Sequence, residues 1–137
     1  MTVAVAHQAT TTGARALALA AQEAVYRDTT LAVILIADSL DNDIAAASQA
    51  GVSDAVDQAL AAAHLDHVKW DLHLVAGGTE KGDVADAILD QVKSLSADLL
   101  VIGARRRSPV GKAFLGSVTQ TLILEADTPV LVVQDPR

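Results

Sequence analysis

The chain alternates short unbroken apolar runs with longer stretches whose apolar residues recur at helical spacing. Residues 2–6, TVAVA, read as a short buried strand, closed by the polar run from His7 to Thr12 and by Gly13. From Ala14 to about Arg27, Leu17, Ala20, Ala21 and Ala24 share one face, which predicts a helix. Residues 31–37, LAVILIA, are continuously apolar and rich in β-branched side chains, as a strand buried on both faces must be. A helix is expected from about Asp43 to His64, with a break at Gly51-Val52-Ser53 as one alternative. Residues 68–75, VKWDLHLV, put Val68, Trp70, Leu72 and Leu74 on one side, the pattern of a strand with a more polar face near a sheet edge. Val84, Ile88, Val92 and Leu95 form the stripe of a helix from about Asp83 to Leu95. Residues 98–102, DLLVI, read as a further buried strand ending at Gly103, and a long loop follows. A helix opening near Gly116-Ser117 carries Val118, Leu122 and Ala126 and stops at Thr128-Pro129, before a final strand, VLVV, at 130–133.

The order β-α-β-α-β-α-β-α-β predicts one α/β domain over residues 1–137, with a parallel sheet, right-handed crossovers and helices on both faces. In such sheets ligands bind beyond the carboxyl ends of the strands, at the point where the strand order reverses. The loops after the first strand (His7 to Thr12) and after the fourth (Gly103 to Gly116) are therefore the candidate site, adjacent if those two strands are neighbours.

Composition sharpens this picture. At 51% hydrophobic and only 2% aromatic, the core must be aliphatic. The absence of cysteine excludes disulfides, thiolate chemistry and cysteine metal sites, and is compatible with a cytoplasmic location. The start, MTVAVAH, lacks a basic segment and a long apolar run, so neither a signal peptide nor a membrane span is expected. A net charge of −7 disfavours nucleic acid as a partner. Yet four of the ten basic residues, Arg105, Arg106, Arg107 and Lys112, lie together in the long loop, which suggests a local anion site as an alternative to a merely solvated loop.

Gly116-Ser117-Val118-Thr119 begins the helix after that loop. Free backbone N–H groups and the positive end of the helix dipole favour an anion there, Gly116 permits close backbone approach, and Ser117 and Thr119 add hydroxyls. The plainer alternative makes Ser117 an ordinary N-cap. Two familiar phosphate motifs fail. RRSPVGKA at 106–113 has Arg106 where a P-loop needs Gly and Ala113 where it needs Ser or Thr, and no G-x-G-x-x-G follows the first strand.

Over essentially its whole length the chain resembles the universal stress protein family, most specifically across VIGARRRSPVGKAFLGSVTQTLILEADTPVLVV at 101–133. Nucleotide-binding members carry G-x2-G-x9-G-[ST]. This chain has Gly103, Arg106 at the second glycine position, and Gly116-Ser117. The resemblance implies a three-layer, doubly wound, Rossmann-like (adenine nucleotide alpha hydrolase-like) fold with five parallel strands in the order 3-2-1-4-5. It implies a homodimer through the strand at 130–133, and ATP or a related adenine nucleotide (AMP, ADP or cyclic AMP) as ligand. By matching positions, Gly103, Gly116, Ser117, Val118 and Thr119 would hold phosphates and ribose, with Arg105 and Arg106 beside them. Ile36 would meet adenine through its backbone, and Ala6, His7 and Gln8 would line the base and ribose. Gln8 stands where many members have Asp, and it offers no carboxylate, which weakens the case for Mg-ATP. Arg106 adds a Cβ near the phosphates but also a guanidinium suited to bidentate contact, so blocked, altered and assisted binding all remain open.

Other chemistry-bearing residues carry less. His64 and His67 have a spacing that could ligate a metal on a helix, but exposed positions near a helix end explain them better, and no metal is expected. Asp83, Asp86 and Asp90 read as a solvated helix face, Trp70 as a packing or dimer residue, and Ser117 lacks the His-Asp partners of a nucleophile. The reading is a stress-response regulatory module that binds an adenine nucleotide, does not hydrolyse it efficiently, and reports to a protein partner. A dimeric scaffold that binds no nucleotide, and a slow ATPase, are the alternatives.

Overall fold

In the computed structural model the described residues are 2–7, 11–37, 42–76, 82–104 and 116–134. The elements are β1 (Thr2–Ala6), α1 (Thr11–Tyr26), β2 (Thr30–Ala37), α2 (Asn42–Ala62), β3 (Trp70–Ala76), α3 (Asp83–Ser94), β4 (Leu99–Ala104), α4 (Ser117–Glu125) and β5 (Val130–Gln134). The strands form one sheet in the order β3-β2-β1-β4-β5, and all four pairings are parallel. The doubly wound α/β fold is therefore as the apolar pattern predicts, with β3, the strand of alternating polarity, at one edge.

Strand alternation assigns each side chain to one of two cores. Val3, Val5, Leu31, Val33, Leu99, Val101 and Val133 face one way and are covered by Ala16, Leu17, Ala20, Ala21 and Ala24 of α1 and by Val56 and Leu60 of α2. Ala4, Ile34, Leu100 and Ile102 face the other way and meet Ala85, Ile88 and Val92 of α3 and Leu122 of α4. The alanine stripe of α1 lets that helix lie close to the central strands, because a small side chain keeps the backbones near each other. Trp70, half-buried, packs against the α1/α2 core, which supports the packing reading of that residue.

The helix order follows from the sheet order. From β1 the chain steps outward twice, to β2 and β3, so right-handed crossovers put α1 and α2 on one face. It then returns past β1 to β4 and β5, which puts α3 and α4 on the other face. The reversal lies between β1 and β4, whose register pairs Ala6 with Ile102.

Several local expectations are adjusted. Helix α2 runs through Gly51-Val52-Ser53 without a break, and it ends at Ala62 rather than His64. His64 takes a left-handed conformation (φ 59°) that closes the helix: its N–H donates to the Ala61 carbonyl (3.1 Å), and the Leu65 N–H donates to that of Leu60 (2.8 Å). Asp28 after α1 and Ser96 after α3 close their helices in the same way. Helix α1 starts at Thr11, earlier than the apolar stripe reveals, because its first turn is polar.

Candidate functional site

At the carboxyl end of the sheet, over the reversal between β1 and β4, a cleft of about 440 Å³ opens between α3 and α4. Its floor is Ala6 and His7 from β1, Ile34 and Ile36 from β2, and Ile102 and Gly103 from β4. Its walls are Val84 and Ile88 of α3 and Val118, Thr119 and Leu122 of α4. The walls are almost wholly aliphatic. Among the described residues no carboxylate, lysine or arginine lines it.

Polar groups reach the cleft from His7 on its floor and Thr119 on its wall, and the start of α4 adds backbone N–H groups beside it. Helix α4 is capped by Gly116, which makes no side-chain capping bond, and the first turn carries no acidic residue. The alternative of Ser117 as an ordinary N-cap is thereby set aside, because Ser117 is already the first residue of the helix. N–H groups of a helix's first turn have no acceptor within the helix, and the dipole makes this end positive. Gly116 has an ordinary backbone conformation (φ −63°, ψ 160°), and among the described residues a Cβ built on it would meet nothing within 4 Å. No described residue requires glycine at this position. The start of α3 contrasts with it: Asp83 and Asp86 stand in its first turn, so a phosphate placed there would meet carboxylates.

His7 is the polar group on the floor. Its backbone N–H continues the sheet ladder by donating to the Ile34 carbonyl (2.9 Å), while its buried Nδ1 has no hydrogen-bond partner among the described residues. Burial also holds the imidazole pKa below its usual 6.5, so the neutral ring is favoured.

Gly103 shows a different logic from Gly116. A Cβ on Gly103 would stand 3.0 Å from Thr12 Cγ2 and 3.4 Å from the Thr12 carbonyl oxygen, on α1. Its backbone borders the cleft, but its missing side chain faces the opposite side of the sheet.

A second groove, of about 340 Å³, lies at the amino end of the sheet, lined by Ala24, Val25, Asp28, Thr29, Thr30, His67, Val68 and Lys69. It adjoins the carboxyl end of α1, where carbonyls and Asp28 disfavour an anion, so it does not compete with the first as a phosphate site. Among the described residues no three His, Asp or Glu side chains gather as a metal site, and His64 and His67 are both exposed.

Of the residues singled out from the sequence, Ala6, His7, Ile36, Gly103, Val118 and Thr119 meet in the cleft, and Gly116 and Ser117 stand exposed at the start of α4. Gln8, Arg105 and Arg106 lie outside the described residues. Sequence reasoning missed Ile34, Val84, Ile88, Ile102 and Leu122 as cleft residues. Their signal was the period: Ile34 shares a face with Ile36, and Val84, Ile88 and Leu122 belong to helix stripes that read simply as core.

Fold and cleft together define an open, doubly wound α/β module with a ligand-sized site at its switch point. The chain belongs to the universal stress protein family, whose profile matches residues 1–134. A universal stress protein of Mycolicibacterium smegmatis is 52% identical over 52 residues, which are 38% of this chain and 40% of that protein, so the match spans well under half of either. The solved universal stress protein from Archaeoglobus fulgidus shares 29% identity at a TM-score of 0.72, covering 96% of both chains. A structure of the universal stress protein from A. fulgidus in complex with dAMP has a TM-score of 0.66 at 24% identity, covering 96% of this chain and 95% of that one.

Proposed function

We propose that the chain binds an adenine nucleotide, ATP or a mono- or diphosphate relative including cyclic AMP, in the cleft between α3 and α4, and acts as a regulatory module of a stress response. The observation that carries this is the union of an aliphatic slot with a helix start that no described residue obstructs. Ile34, Ile36, Ile88, Ile102 and Leu122 offer a planar base an aliphatic bed. Gly116, Ser117, Val118 and Thr119 offer phosphate oxygens free N–H groups and hydroxyls at the positive end of α4. The dAMP complex of the A. fulgidus protein supports adenine as the base.

The donors fit a phosphate. They do not fit a protein-held Mg²⁺, because no carboxylate lines the cleft among the described residues. Among the described residues no carboxylate on its floor or walls could activate water, and His7, the one titratable group there, has no described partner on Nδ1 to orient its ring as a base. Binding without efficient hydrolysis is the reading that follows. Arg105 and Arg106, close in sequence to Gly103, would add charge to the phosphate end, and Gln8 would reach the ribose side. A cytoplasmic location and a regulatory protein partner belong to the same reading. Among the described residues no helix is long and apolar enough to cross a membrane.

Thermal melting of the purified chain with millimolar ATP, ADP, AMP or cyclic AMP tests the proposal. A ligand that binds only the folded state raises the midpoint, by an amount equivalent to about 2.7 kcal/mol when present at a hundred times its Kd. Unchanged midpoints with all four nucleotides would sink it.

A further inference from the structure

The glycine one residue before the end of β4, Gly103, is explained by helix packing on the face of the sheet away from the cleft. Along β4, Leu99 and Val101 belong to the core under α1 and α2, while Leu100 and Ile102 belong to the core under α3 and α4. Alternation therefore turns the side-chain position of Gly103 toward α1, and its sheet partner Val133 lies in that same core. The group it meets is Thr12, in the first turn of α1, only 3% exposed. The distance from a built Cβ to Thr12 Cγ2 is 3.0 Å, against about 3.5–4.0 Å for an ordinary carbon contact. The cleft, by contrast, lies on the α3/α4 side, where a side chain at 103 would add nothing.

We propose that Thr12 is a positioning residue for the cleft: its methyl seats against Gly103, and this contact sets the start of α1 against the end of β4. Gly103 borders the cleft through its backbone while its Cβ position faces Thr12. A side chain at 103 pushes on the first turn of α1, so its effect on a ligand is transmitted from behind. The part of this statement that concerns a ligand rests on the nucleotide reading above; the part that concerns packing does not.

A double-mutant cycle on the full chain tests it, using Gly103→Ala, Thr12→Ser and their combination, with Gly103→Ala/Thr12→Val as control. Serine deletes the offending methyl and leaves the carbonyl at 3.4 Å as the nearest group, whereas valine keeps a methyl in place. Gly103→Ala is expected to lower the melting midpoint by about 5 °C and to weaken AMP and ATP binding about tenfold. In the Thr12→Ser background the same substitution should cost less than half as much on both readouts, and in the Thr12→Val background as much as in the wild type. The proposal is overturned if Gly103→Ala leaves the midpoint unchanged, if serine brings no recovery, or if valine recovers it equally. Should Gly103→Ala be too unstable to isolate, a folded Gly103→Ala/Thr12→Ser protein supports the proposal and an equally unfolded one overturns it. A wild-type chain that binds neither nucleotide contradicts the proposed function, while the melting comparison still decides the role of Thr12.

Discussion

A buried polar atom without a partner costs about 1–3 kcal/mol, and among the described residues Nδ1 of His7, on the floor of the cleft, has none. Its burial lowers the imidazole pKa, so in the folded state the ring stays neutral at a pH where the unfolded ring, near 6.5, takes a proton. Above pH 6.5 both states are neutral and the folded protein keeps its full stability; as the pH falls below that, the unfolded state binds the proton first and stability is lost, until the folded ring protonates too. The midpoint of thermal unfolding is therefore expected to fall between about pH 7 and pH 5, with a shallower fall in His7→Phe. Parallel curves for the two proteins would show that His7 is not a source of the dependence. This property was not legible in the sequence, where His7 is one polar residue in a polar run. The fate of a single ring nitrogen depends on what the fold places around it. The two motif glycines were legible as glycines, but their reasons were not. Spacing marks Gly103 and Gly116 alike, yet one is demanded by Thr12 of α1 and the other by nothing among the described residues. Pattern recognition cannot separate these cases, because a close approach of backbone to side chain leaves no periodic trace. The fold separates them by direction: one missing Cβ faces a helix and the other meets no described residue.

Among the elements, the ends of the helices hold most of the information that periodicity lacks. The apolar stripes predict α3 almost to the residue, since Val84, Ile88 and Val92 span its length, but they place the start of α1 late and the end of α2 beyond its last turn. The reason is physical: helix ends are settled by capping, and α1, α2 and α3 are followed by non-glycine residues in the left-handed conformation, which turn statistics would assign to glycine. That departure has a measurable consequence. Ser96, exposed and at φ 50°, bears the steric penalty of the left-handed region, so Ser96→Gly should stabilise the protein by about 0.5–1 kcal/mol in denaturant unfolding. A loss of stability on this change would contradict the role of Ser96 as a strained cap. The contrast between α3 and α4 also lies at their ends: acids in the first turn of one and none in the first turn of the other make α4 rather than α3 a fit neighbour for phosphate.

For the molecule as a whole, strict alternation of strands and helices made the layered sheet readable, and the position of the reversal followed from the family resemblance rather than from any single residue. One surface remains to be covered. Strand β5 is an edge with Leu131 at 37% exposure, and α4, beside it in the chain, exposes Ile123 and Leu124. An apolar strand edge of this kind is open to pairing with another chain, and we expect a homodimer through β5. Light scattering at micromolar concentration should give twice the 14.1 kDa chain mass for the wild type and the single mass for Leu131→Lys. A monomeric wild type would refute the dimer without touching the cleft.

An adenine nucleotide bound as proposed places its phosphates at the start of α4, and isothermal titration of ATP and AMP into the wild type and into Gly116→Asp probes that placement. Aspartate is a good N-cap and suits the positive helix end, and the built Cβ at this position meets no described residue, so the variant without nucleotide should melt at or above the wild-type midpoint. Its carboxylate would occupy and repel the phosphate position, so binding to the wild type and a loss of at least about tenfold in the variant are expected. Equal affinity in the two proteins, or no heat from either nucleotide with the wild type, would contradict it.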